Sequence, residues 1–99
     1  MTRILHASIP ADRPAEAASL LARIMGGTAM PFPPGGPNAW IAWADDGRTE
    51  IEVVRRGDCL ERGPVEAEWR SSSLGTGRSE VHLALAVPLA VDEILALAR

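Results

Sequence analysis

Residues 4–27 read ILHASIPADRPAEAASLLARIMGG, and two periodicities meet in them. Up to Pro10 the side chains alternate, with Leu5, Ala7 and Ile9 on one side and Ile4, His6 and Ser8 on the other. That is the pattern of a half-buried strand, ended by a proline that cannot donate to the ladder. From Pro14 the period becomes helical: Ala17, Leu20, Leu21, Ile24 and Met25 form an apolar stripe. Asp12 is the expected cap, Pro14 sits in the first turn where its missing N–H costs nothing, and Gly26-Gly27 ends the helix.

Most of this unit is echoed near the C-terminus. Setting His6 over His82 brings Leu21-Ala22-Arg23 over Leu97-Ala98-Arg99 without a gap, and Glu16 over Asp92. Residues 81–87 alternate again, with Leu83 and Leu85 on the side expected to face a helix and His82, Ala84 and Ala86 on the other. Pro88 ends that run, and Ile94, Leu95 and Leu97 have helical spacing. The echo predicts a strand-helix unit used twice, the second use cut short at Arg99.

Between the copies, residues 28–32 suit a short edge strand limited by Pro31, Pro33 and Pro34. Two further runs flank Asp45-Asp46-Gly47-Arg48, where Asp46-Gly47 signals a type I′ hairpin turn with positive φ at both central residues. Centred there, the register pairs Ala44 with Thr49, Trp43 with Glu50, Ala42 with Ile51, Ile41 with Glu52 and Trp40 with Val53. Alternation then puts Trp40, Ala42, Ile51 and Val53 on an apolar face turned to the helix. Ile41, Trp43, Glu50 and Glu52 take the opposite face, a surface suited to holding something polar. Residues 57–80, rich in Gly and Ser, read as a linker with one short strand at 65–69.

Ninety-nine residues support one domain with a single modest core. A net charge of −3 with interspersed signs excludes a basic footprint for nucleic acid or an anionic membrane. The chain has no Lys, which excludes Schiff-base chemistry, and no Walker loop, GxGxxG or nucleophile elbow. Cys59 stands alone, so no internal disulfide is available and a cytoplasmic setting is expected. No apolar run reaches the length needed to cross a bilayer as a helix.

Three residues with metal-ligand chemistry share the polar face: His6 and His82 at matched positions of the two copies, and Glu52 on the hairpin. Two imidazoles and a carboxylate suit Fe, Mn, Ni or Zn as a divalent ion. A strand histidine is also an ordinary surface or core residue, so this expectation rests on whether the three converge. Glu50, two residues from Glu52, is the candidate general base. Ser8, Ile41 and Trp43 are the candidate substrate-pocket residues beside them.

The runs 4–9, 14–26, 49–53 and 80–87 together resemble the vicinal oxygen chelate superfamily, which includes glyoxalase I, extradiol dioxygenases and bleomycin-binding proteins. The resemblance implies an α+β fold: a βαβββ module over residues 1–56, a linker over 57–80, and the β-α start of a second module over 81–99. It also implies that His6, Glu52 and His82 bind a divalent metal. The chain departs from the family in lacking the later strands of the second module, one of which supplies a fourth ligand, a glutamate. The function implied is binding of a small oxygen-rich or electrophilic molecule, with lyase, isomerase or dioxygenase chemistry if the metal is present. The alternatives are a metal-free binding protein of the bleomycin-resistance type and a non-catalytic dimerisation module. An open edge beside residues 81–87 makes a homodimer the expected assembly. A ferredoxin-like βαββ arrangement would also accommodate the first half, leaving His82 an accidental echo.

Overall fold

A computed structural model describes residues 2–71 and 81–97. Strand β1 (Arg3–Ala11) leads through Asp12-Arg13 into helix α1 (Pro14–Ile24), followed by β2 (Thr28–Pro31) and a single 3₁₀ turn (Pro33–Gly35). Strands β3 (Trp40–Trp43) and β4 (Glu50–Arg55) form the central hairpin, and β5 (Asp58–Arg62) and β6 (Ala67–Ser71) form another. Strand β7 (Leu83–Ala86) and helix α2 (Val91–Leu97) complete the described chain. The architecture is α+β. A five-stranded mixed sheet runs in the order β2-β3-β4-β1-β7, with β5-β6 as a separate two-stranded sheet.

The helix packs on one face of the main sheet through its smallest side chains. Ala18 and Ala22 lie against Ala42 and Val53, with Ile9, Leu21, Met25, Trp40 and Ile51 closing the edges of this cluster. Small side chains on both layers let helix and sheet approach closely, and fully burying Val53 contributes about 2 kcal/mol. The expected stripe is therefore rotated. Leu21 and Met25 face the sheet as expected, but Leu20 and Ile24 point to solvent, and Pro14, Ala18 and Ala22 take the buried positions. Periodicity weighed by side-chain size favoured the leucines, whereas the helix positions buried most deeply against the sheet are the alanines 18 and 22.

Two further local expectations are corrected. Arg13, not Asp12, occupies the N-cap position and makes no side-chain cap hydrogen bond, while Asp12 pairs with Arg56 at 2.8 Å. The β3-β4 turn is not type I′, because Gly47 alone in residues 45–48 has positive φ, at 66°. The Gly47 N–H donates to the Ala44 carbonyl, and Asp46 Oδ1 accepts the N–H groups of Arg48 and Thr49. Four loop residues centred on the same point preserve the pairing, so the Trp40–Val53 to Trp43–Glu50 register stands as expected.

The larger difference lies in residues 57–80. In place of a linker with one short strand, β5 and β6 pair from Asp58 with Ser71 to Arg62 with Ala67, and β6 touches the 3₁₀ turn. Val65 is in the turn and almost fully exposed. The Gly/Ser-rich segment 72–80 lies outside the described residues.

Candidate metal centre

The face of the main sheet opposite α1 carries the polar residues. Parallel pairing of β1 with β4 sets His6 beside Glu50 and Ser8 beside Glu52. Antiparallel pairing of β3 with β4 sets Ile41 beside Glu52 and Trp43 beside Glu50. On the other side of β1, Ala84 pairs His6, and the Ser8 N–H donates to the His82 carbonyl at 3.0 Å. Two rows thus cross the sheet: Ile41, Glu52, Ser8, His82, and Trp43, Glu50, His6, Ala84. Because neighbouring strands run about 4.8 Å apart, side chains of adjacent rows can converge.

They do so at three atoms. His6 Nε2 is 3.0 Å from His82 Nε2 and 3.6 Å from Glu52 Oε2, and His82 Nε2 is 3.5 Å from the same oxygen. The Ser8 hydroxyl, fully buried, donates to Glu52 Oε2 at 3.0 Å and so fixes the carboxylate. Glu50 Oε1 lies 3.3 Å from His6 Nδ1, on the far side of the ring from the convergence point. Among the described residues, His82 Nδ1 is a buried side-chain atom with no hydrogen-bond partner. Burial holds the His82 imidazole below its ordinary pKa. The Glu52 carboxylate acts in the opposite sense, and His6 adds to the depression.

The three edges of 3.0, 3.5 and 3.6 Å put each donor atom about 2.0 Å from a common centre, the bond length of nitrogen and carboxylate ligands to zinc-like divalent ions. The donor set is that of a two-histidine, one-carboxylate centre with positions left open. His6, Glu52 and His82 therefore fit a divalent cation both in chemistry and in spacing.

Above the three atoms is a cavity of about 560 Å³, roofed by the second hairpin. Phe32, Pro33 and Pro34 form one wall, and Trp69 forms another with its ring 5.6 Å from that of His82. Glu66 and Glu68 stand at the rim. Ser8 and Ile41, expected in the pocket, are buried below it and act as its foundation. Trp43 lines a different hollow with Gly27 and Met30, two strands away from His6. The roof was the part hardest to anticipate. The short strand expected at 65–69 is found at Ala67–Ser71, but its partner at 58–62 carries only two apolar residues and gave no strand signal in the sequence.

No helix of the described residues is long and apolar enough to cross a membrane. Comparison of the chain with family models, with curated proteins and with solved structures finds no match for it.

Proposed function

We propose that the protein is a glyoxalase-like domain of the vicinal oxygen chelate type, binding a divalent cation through His6, Glu52 and His82. The observation that carries this reading is the convergence of two histidine Nε2 atoms and one carboxylate oxygen beneath a cavity of small-molecule size. The order β2-β3-β4-β1, with β1 parallel to β4, supports reading residues 3–55 as the βαβββ module of that family.

A bound divalent ion would polarise an oxygen of the ligand and stabilise negative charge developing on it. The chain's own contributions are separable from that. Ser8 holds the Glu52 carboxylate, the sheet rows set the two imidazoles against each other, and Phe32, Pro33, Pro34 and Trp69 narrow the space above them. The ligand class is a small oxygen-rich molecule able to take the cation's open positions.

The test is metal analysis of the purified protein, followed by titration of the metal-free form with Fe(II), Mn(II), Ni(II) and Zn(II). One equivalent bound by the wild type, and a loss of at least about 100-fold in His6→Ala, supports the reading. Equal binding by wild type and His6→Ala removes it. Absence of binding by the wild type favours the metal-free sequestration alternative, with the same cavity as its site.

A further inference from the structure

The two histidines are supported unequally, and the difference assigns a role to Glu50. His6 has its Nε2 at the convergence point and its Nδ1 3.3 Å from Glu50 Oε1. His82 has its Nε2 at the same point, but its Nδ1 is buried with no hydrogen-bond partner among the described residues. A neutral imidazole carries one proton on one of its two nitrogens, and the group facing each nitrogen decides which. At His6 the Nε2 side offers one acceptor at hydrogen-bond distance, His82 Nε2 at 3.0 Å, which would hold the proton there and block that atom as a ligand. Glu52 Oε2 at 3.6 Å is beyond that reach but favours the same nitrogen by its charge. Only the Glu50 carboxylate competes from the other side.

We propose that Glu50 is a positioning residue: it accepts the Nδ1–H of His6 and so leaves Nε2 unprotonated and aimed at the centre. The role follows from the parallel register, which sets residue 50 directly beside residue 6 on one face of the sheet. Glu50 is not among the residues lining the cavity, so it supports the centre through His6 instead of meeting a ligand. The functional significance rests on the metal reading above, but the proton's location does not.

Both can be measured on the whole chain. In metal-free protein at a pH where His6 is neutral, ¹⁵N chemical shifts report which ring nitrogen is protonated. The wild type is expected to show His6 with its proton on Nδ1, and Glu50→Leu is expected to transfer it to Nε2. Cation affinity should fall about 10- to 100-fold in Glu50→Leu and by less in Glu50→Gln, whose amide carbonyl still accepts a hydrogen bond. A wild-type His6 protonated on Nε2 overturns the proposal even if the leucine variant does not fold. So does a Glu50→Leu protein with unchanged tautomer and unchanged affinity. Failure of the wild type to bind any cation removes the metal reading alone, because the nitrogen shifts still decide the role of Glu50.

Discussion

The Nε2 atoms of His6 and His82, 76 positions apart in the chain, lie 3.0 Å from one another. The contact comes from a local symmetry. His6 pairs with Ala84 while Ser8 stands beside His82, so exchanging 6 with 82 and 8 with 84 maps the pairing of β1 and β7 onto itself. Two matched strands running antiparallel bring matched side chains to the same face on either side of a two-fold axis. Glu52, held by Ser8 next to that axis, supplies the third donor atom. Repetition in the sequence thus becomes convergence in space.

Ser8→Ala tests what holds Glu52 in place. Ser8 is fully buried, and its hydroxyl donates to a carboxylate oxygen that is itself almost excluded from water. Removing a donor from a buried charged acceptor is expected to cost about 1–3 kcal/mol, measured by urea unfolding at neutral pH. A loss below about 0.5 kcal/mol would mean that the carboxylate finds another donor.

The pH dependence of stability should report on His82. Burial disfavours its charged form and lowers its pKa below the ordinary 6.5, so the unfolded chain takes up this proton first as pH falls. Where the unfolded state binds more protons, stability rises with pH. The contribution is therefore fully present above pH 6.5 and is lost progressively as pH falls from there towards the lower folded value. Thermal unfolding of metal-free protein between about pH 5 and 8 should show this fall, and His82→Gln should flatten it. An identical profile for the two proteins would place the titrating group elsewhere.

Legibility followed the range of the interactions. The register from Trp40–Val53 to Trp43–Glu50 was readable because a turn and two alternating runs are local, and it survived a different turn type because both turns share a centre. The convergence of His6, Glu52 and His82 was readable as alternation on three strands plus a repeat, although nothing in the spacing showed that β1 lies between β4 and β7. The rotation of α1 was not readable, since which stripe is buried depends on how closely the sheet approaches Ala18 and Ala22. Nor was the roof: nothing local in the sequence tells that the second hairpin comes against the turn carrying Pro33 and Pro34, so that both line the same cavity.

Gly27→Ala tests the close approach where α1 hands over to β2. The Gly27 N–H donates to the Ala22 carbonyl at 2.8 Å, closing the helix, and a Cβ added there would meet the Trp43 carbonyl oxygen at 1.8 Å. That obstacle is backbone of a central hairpin and cannot swing aside. The substitution should destabilise by about 3 kcal/mol or more, read from the denaturant midpoint at unchanged m-value. Gly36→Ala, where the Cβ has nothing within 4 Å, is the comparison that separates collision from the strain of a positive φ.

Helix α2 predicts a dimer. In the sequence echo α2 corresponds to α1, yet α1 lies on the sheet while none of the residues of α2 is buried. Val91, Ile94, Leu95 and Leu97 are exposed, and Val81, Val87 and Leu89 extend the apolar area towards β7, the outer strand of the sheet. An isolated helix of seven residues does not hold itself in water without packing. A second copy, related by a two-fold along the β7 edge, would cover both molecules' α2 faces at once and pair the two β7 edges that no strand of the described residues occupies. Light scattering after gel filtration should therefore give about twice 10.5 kDa, and Ile94→Glu with Leu95→Glu should give the single mass without loss of the β3-β4 core. A wild-type mass of one chain at every concentration would assign α2 some other cover.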